Sequence, residues 1–194
     1  TSSIRFWQNT MTELSLNILD IANNSVRAEA ENITVKICVD TIKNLLEIVI
    51  TDDGCGMSEE LLARVTDPFS TTRTTRKVGM GIPFFKMGAE MCDGNFGIKS
   101  KLGVGTEIFA TYRLDHIDRQ PLGDVGSTVT VLMGGAPKTN IKLTYSFDGN
   151  PFEISSNEIK STLGDDALED TVALNYIKDM INENIEKING GYIV

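Results

Sequence analysis

From residue 33 to 39 the chain alternates without a fault. Ile33, Val35, Ile37 and Val39 are apolar, and Thr34, Lys36 and Cys38 stand between them. Successive side chains of a strand point to opposite faces, so this pattern predicts a strand with one buried and one wet face. A second apolar run at 45–51 follows a polar turn at 41–44, and the two read as a hairpin. A sheet with one apolar face needs a covering layer. Residues 13–28 can supply it, because Leu14, Leu16, Ile18, Leu19, Ile21 and Val26 form a broad apolar helix face, with Thr12 as the expected N-cap.

The following segments continue in the same style. Residues 52–57 form a glycine-punctuated loop, and Ser58 caps a short helix at 59–64. Residues 66–78 are polar, hydroxyl-rich and basic, and read as an irregular loop. A helix at 81–91 places Pro83 in its first turn, where proline is tolerated. Two more strands, 95–100 and 106–112, are joined by 101–105. Grouped elements without βαβ alternation imply an α+β fold, a two-layer sandwich of a mainly antiparallel sheet with helices on one face.

The remainder reads as a small α+β appendage. Val125, Val129, Leu132 and Met133 follow helical spacing before Gly134 and Gly135, although Val and Thr also suit a strand. Ile141, Leu143, Tyr145 and Phe147 alternate as a strand, and Asp148-Gly149-Asn150 turns the chain into a partner at 152–154. A short helix at 156–163 ends at Gly164. Asp166 and Glu169 resemble a capping box. Leu174, Ile177, Ile181, Ile185 and Ile188 then mark one face of a helix that stops at Gly190 and Gly191.

Charge divides the chain at the same place. The 194 residues hold 18 Lys/Arg and 27 Asp/Glu, a net charge of −9. Residues 1–114 carry 12 and 14 of these, and residues 115–194 carry 6 and 13. The expected division is therefore a domain at 11–114 and an acidic region at 115–194, with a junction around 121–123. An acidic chain has no global drive toward nucleic acid or an anionic membrane. His116 is the only histidine, and Cys38, Cys55 and Cys92 show no metal or disulfide spacing. Apolar runs are too short to span a bilayer, and no leader is visible at Thr1. A soluble, reduced, cytoplasmic protein is the expectation.

Four motifs carry candidate chemistry. Asp20 and Asn24 lie one helical turn apart, so a carboxylate and an amide oxygen share a face that suits an oriented water or Mg²⁺; a solvated polar face is the bland alternative. Asp52-Asp53-Gly54-Cys55-Gly56-Met57 follows a strand, where a carboxylate among glycines can accept from an exocyclic amine. Val78-Gly79-Met80-Gly81 opens a helix whose amides suit phosphate oxygens, and Thr72, Arg73, Arg76 and Lys77 add donors and cations upstream. Gly103-Val104-Gly105-Thr106 lies between two strands, where a plain hairpin turn is the competing meaning.

In order and spacing, these motifs resemble the ATP-site boxes of the family that unites gyrase B, the 90-kDa heat-shock chaperones, MutL and histidine kinases. The resemblance covers about 13–114. Residues 19–30 and 48–57 are similar to the MutL and gyrase form, 67–73 to the histidine-kinase lid, and 79–81 with 103–108 to histidine kinases and anti-sigma-factor kinases. It implies a Bergerat-type fold that binds ATP with Mg²⁺. It assigns Asn24 to the metal, Asp52 to the adenine amino group with Thr106 beside it, and Gly54, Gly56 and Met57 to the base pocket. Arg27 falls where histidine kinases place a phosphate-facing lysine. Phe69 anchors the lid, and Thr72, Arg73, Arg76, Lys77, Val78, Gly79, Met80 and Gly81 wrap the phosphates. Asp20 stands where gyrase-like members carry glutamate, one methylene longer.

The resemblance implies a kinase-type catalytic domain that transfers the γ-phosphoryl group to another protein, since no upstream phosphoacceptor motif is present and His116 falls at the junction. An ATP-hydrolysing switch of the MutL or gyrase type and a nucleotide-gated binding module are the alternatives. The implied partners are ATP and a protein phosphoacceptor or regulator, with a homodimer left open.

Overall fold

The computed structural model describes residues 13–65 and 81–194. Helix α1 (Leu14–Arg27) leads into strands β1 (Asn32–Asp40) and β2 (Leu45–Asp52) and helix α2 (Glu59–Val65). Helix α3 (Gly81–Met91) precedes β3 (Phe96–Lys101) and β4 (Gly105–Arg113). Helix α4 (Val125–Gly135), strands β5 (Asn140–Phe147) and β6 (Asn150–Ser155), and helices α5 (Ser156–Leu163) and α6 (Thr171–Asn189) complete the chain.

The strands form one six-stranded sheet in the order β3-β4-β2-β1-β5-β6. All its pairings are antiparallel except β1 with β5. The alternation seen in the sequence is kept: Ile33, Val35, Ile37 and Val39 are fully buried, as are Ile141, Leu143 and Tyr145 on β5. That single buried face lies under the helices, giving the two-layer α+β sandwich.

The shift of composition near residue 115 does not interrupt the sheet. Residues 32–39 of β1 run parallel to residues 140–147 of β5. Two antiparallel strands can be joined by a tight turn, whereas a parallel neighbour needs a long crossover. Here that crossover contains the first hairpin's return through β2, β3 and β4, then α4. The turn after β1 is clamped to the β5–β6 turn, where Asp148 accepts from Thr41 N and Oγ1 at 2.7 and 2.6 Å.

Two local expectations are corrected and one open choice is decided. Glu13, not Thr12, is the N-cap residue of α1, and its side chain does not cap. The first helical amides are instead satisfied from a distance: Leu14 N donates to Pro121 O at 3.0 Å and Ser15 N to Leu122 O at 2.8 Å. Residues 121 and 122, in the expected junction, thus close the start of α1. The competition between helix and strand at 125–133 goes to helix α4, because Asp124 accepts from Ser127 N at 2.7 Å and Val125, Val129, Leu132 and Met133 all turn inward. Asn182 of α6 donates to the same carboxylate at 2.9 Å. Lastly, Asp166 and Glu169 do not make a capping box. Asp166 lies in a 3-10 turn, Asp165–Leu168, that buries Ala167 and Leu168, so α6 starts later, with Asp170 accepting from Val172 N at 2.8 Å.

Candidate functional site

β2 ends at Asp52, and register does most of the work there. Asp52 lies opposite Thr106 on β4, and Thr106 lies opposite Ser100 on β3. Three residues far apart in sequence thus form a row across three strands. The Asp52 carboxylate is held from two sides. Ser25 Oγ of α1 donates to Oδ2 at 2.6 Å, and Gly54 N donates to Oδ1 at 3.0 Å. An ionised carboxylate has about four lone-pair positions, so this fixed group retains acceptor capacity.

Ser100 ties the other end of the row. Its Oγ accepts from Met57 N at 2.8 Å and lies 2.9 Å from both Gly105 O and Thr106 Oγ1. A hydroxyl carries one proton, so when Ser100 donates to Gly105 O the Thr106 hydroxyl is the donor to Ser100.

Two glycines let the backbones close around this row. Gly56 has φ +63, and a Cβ there would lie 2.1 Å from Lys101 O; at Gly105, φ is +130 and a Cβ would lie 2.0 Å from Asp52 O. Side chains at either place would force the loop off the strand ends. The loop is also pinned by Cys55, whose N donates to Ala28 O at 2.9 Å and whose O accepts from Gly103 N at 2.8 Å. Asp53 acts as a clamp and points away from the row. It accepts from Asn32 N and Nδ2, both at 2.8 Å. Burial opposes its ionisation, but the Asn32 hydrogen bonds outweigh that and hold its carboxyl below the usual range.

Helix α1 carries the polar face toward this loop. Asn24, beside Ser25, has its Oδ1 bonded by Arg27 Nη1 at 3.3 Å, while its Nδ2 is buried with no partner. An orphaned buried amide is costly and is the kind of group that gathers at functional sites. Asp20 abuts the start of α3, where a Cβ at Gly81 would come 2.8 Å from Asp20 Cβ. Residues 66–80, where the sequence predicts the lid, lie outside the described residues.

The structure thus brings Asp52, Gly54, Gly56, Met57 and Thr106 into one cluster; Asn24 and Arg27 pair beside Ser25 on α1, and Asp20 abuts Gly81 one turn earlier on that helix. Phe69, Thr72, Arg73, Arg76, Lys77, Val78, Gly79 and Met80 lie outside the described residues. Ser25 and Ser100 are the participants that reading the sequence missed. Ser25 was signalled only by being a hydroxyl on the buried side of a helix, which obliges it to find a partner. Nothing local signals Ser100, because its role comes from cross-strand register.

The donor set fits a magnesium-bound nucleotide. Among the described residues no three His, Cys, Asp or Glu side chains gather to form a metal cage. Asn24 Oδ1 is a hard oxygen ligand, and Mg²⁺ is commonly held by one or two protein oxygens together with substrate phosphates. His116 stands apart from the site. Its side chain is 14% exposed, and its Nδ1 accepts from Asp118 N at 3.1 Å.

Known proteins resemble this chain in sequence and in fold. Residues 6–116 match the family model described as histidine kinase-, DNA gyrase B-, and HSP90-like ATPase. Sensor protein DegM of Bacillus sp. strain B21-2 is 32% identical over 91 residues, 47% of this chain and 24% of that protein. Histidine protein kinase DivJ of Caulobacter vibrioides is 27% identical over 95 residues, 47% of this chain and 16% of that protein. The chain therefore corresponds to a minor part of these curated relatives. In fold it resembles the Aquifex aeolicus MutL ATPase domain complexed with ADP, with a TM-score of 0.54 at 14% identity over 80% of this chain and 69% of that one. That likeness reaches further along the chain than the family match. On a family match covering more than half its length, this chain belongs to the histidine kinase-, DNA gyrase B- and HSP90-like ATPases.

Proposed function

We propose that this protein is a kinase-type catalytic domain that binds ATP with Mg²⁺ and transfers the γ-phosphoryl group to another protein. The observation that carries this reading is the Asp52 carboxylate, fixed by Ser25 and Gly54 beside the Thr106 hydroxyl. Asp52 accepts from the adenine amino group. Thr106 Oγ1, held by Ser100, offers the neighbouring ring edge an acceptor. Gly54 and Gly56 let the base lie against backbone, and Asn24 Oδ1 with Arg27 faces the phosphates. Bound Mg²⁺ supplies neutralisation of the phosphate charge. Thr72, Arg73, Arg76 and Lys77 supply further cations and donors, and Gly79 and Gly81 allow close approach. The phosphoryl transfer then rests on positioning and electrostatic stabilisation rather than on covalent work by the protein. The names of the two relatives, a sensor protein and a histidine protein kinase, support a protein as acceptor.

An ATP-hydrolysing switch is the second reading, favoured by the MutL-like fold extending beyond residue 116. Asp20 would then orient the attacking water. Radiolabelled γ-phosphate separates the two: transfer to protein supports the kinase, and release as free phosphate supports the switch. Thermal shift with Mg²⁺ and a non-hydrolysable ATP analogue tests both. At about 100 times Kd the analogue should add roughly 2.7 kcal/mol of stability, and no shift in the wild type would overturn nucleotide binding altogether.

A further inference from the structure

A cavity lies along the seam where α1 meets α3. It measures about 220 Å³ and is lined by Leu14, Asn17, Met87, Gly88 and Met91, with Asp118 at its edge. It shares no residue with the nucleotide site, although Asn17, Asp20 and Asn24 fall on one face of α1 by their spacing. Asn24 stands about 10 Å further along the helix axis.

Two independent features mark this cavity as built. Asn17 is only 2% exposed and lines it. Its Nδ2 donates to Gln120 Oε1 at 3.4 Å, but its Oδ1 is buried with no partner. A buried acceptor left unpaired is destabilising, and a ligand bearing a donor would satisfy it. Gly88 is the second feature. It sits inside α3, where glycine is a poor helix residue. Gly81, at the start of the same helix, is by contrast forced by crowding against Asp20. At Gly88 a Cβ would meet nothing nearer than a Tyr112 ring carbon, at 3.7 Å, an ordinary contact. Packing does not require a glycine there, and its missing side chain keeps the cavity open.

The lining selects the ligand. Met87 and Met91 give soft apolar walls that adapt to an alkyl stem. Asn17 Oδ1 and the Asp118 carboxylate are both acceptors, and among the described lining residues none is a lysine or arginine. A carboxylate ligand would meet the Asp118 charge, and an alkane would leave Asn17 unpaired. We propose that this cavity binds an alkyl ammonium or alkyl guanidinium group, its stem between Met87 and Met91 and its N–H donors on Asn17 Oδ1 and Asp118.

The test is a titration of the full chain, carrying ¹³C-methyl methionine and ¹⁵N labels, with n-butylguanidinium chloride against matched sodium chloride. Saturable shifts are expected at the Met87 and Met91 methyls and the Asn17 side-chain amide. Butyrate and butyramide should bind at least tenfold more weakly. Gly88→Leu fills the cavity with a better helix former, so saturable shifts should vanish while Tm does not fall. Asp118→Asn, an exposed change that leaves the fold alone, should weaken binding several-fold. A non-saturable response overturns the proposal, as does equal binding of butyrate, or affinity unchanged in both variants. The end-blocked peptide Gly-Gly-Arg-Gly-Gly identifies the source. Tighter binding than the free compound assigns the site to a partner's side chain, and weaker binding assigns it to a small molecule.

Discussion

Residues 13–114 and 115–194 differ in almost everything legible from composition, yet they build one sheet. The first is nearly neutral and dense in motifs; the second is acidic and nearly free of them. In the structure the second contributes β5 beside β1, the carbonyls that close the start of α1, and α4 packed on α1. Net charge is a property of exposed surfaces, whereas strand pairing follows buried ones. The contrast shows that a motif-rich region can depend for its stability on a region that carries no motif.

The sharpest way to break that dependence is Leu143→Ala on β5, opposite Val35 of β1. Emptying this fully buried position should cost about 2–5 kcal/mol. Denaturant unfolding should remain a single transition at a lower midpoint, and nucleotide binding should be lost along with it. Two separate transitions would show that the halves fold independently. Next in size is Asp52→Ala, which should remove the roughly 2.7 kcal/mol stabilisation expected from saturating ATP analogue with a smaller effect on the unliganded protein. An undiminished thermal shift would sink the adenine assignment.

Ser25→Ala should have a smaller effect. It deletes one of the two hydrogen bonds on Asp52, and a bond to a charged group is worth about 1.5–3 kcal/mol. Calorimetry should record weaker nucleotide affinity with ¹⁵N spectra otherwise unchanged; equal affinity would remove Ser25 from the site. The mildest probe is pH. The Asp53 carboxyl is held below its ordinary value of 3.8 by Asn32. Its folded pKa is depressed, so its stabilisation is fully present above 3.8 and is lost as pH falls through the folded value. The stability difference between wild type and Asp53→Asn should be constant near neutrality and shrink in acid. A difference that grows on acidification would contradict the Asn32 clamp.

Much of the site was legible because its residue types have local geometric causes. Asp20 and Asn24 share a face through helical spacing, and Gly56 and Gly105 are needed where backbone passes backbone. Thr106 was read as a neighbour of Asp52 only through resemblance, and the register supplies its physical basis. Ser25 and Ser100 escaped because a serine's partner is set by whatever the fold brings within 3 Å. The caps divide in the same manner. Ser58 caps α2 through Leu61 N at 3.3 Å, a contact three residues away, and was anticipated. Glu13 was not, since the groups that satisfy α1 arrive from residues 121 and 122.

The amino-acid order was enough for the strands, most helices, the one-sided burial and the glycine turns, because each follows from periodicity or backbone sterics within a few residues. Strand order, the parallel seam between β1 and β5, the row of Ser100, Thr106 and Asp52, and the two cavity features at Asn17 and Gly88 needed the assembled molecule. These depend on which distant surfaces are buried together. No local pattern encodes that choice, because the free energy deciding it belongs to the packed whole.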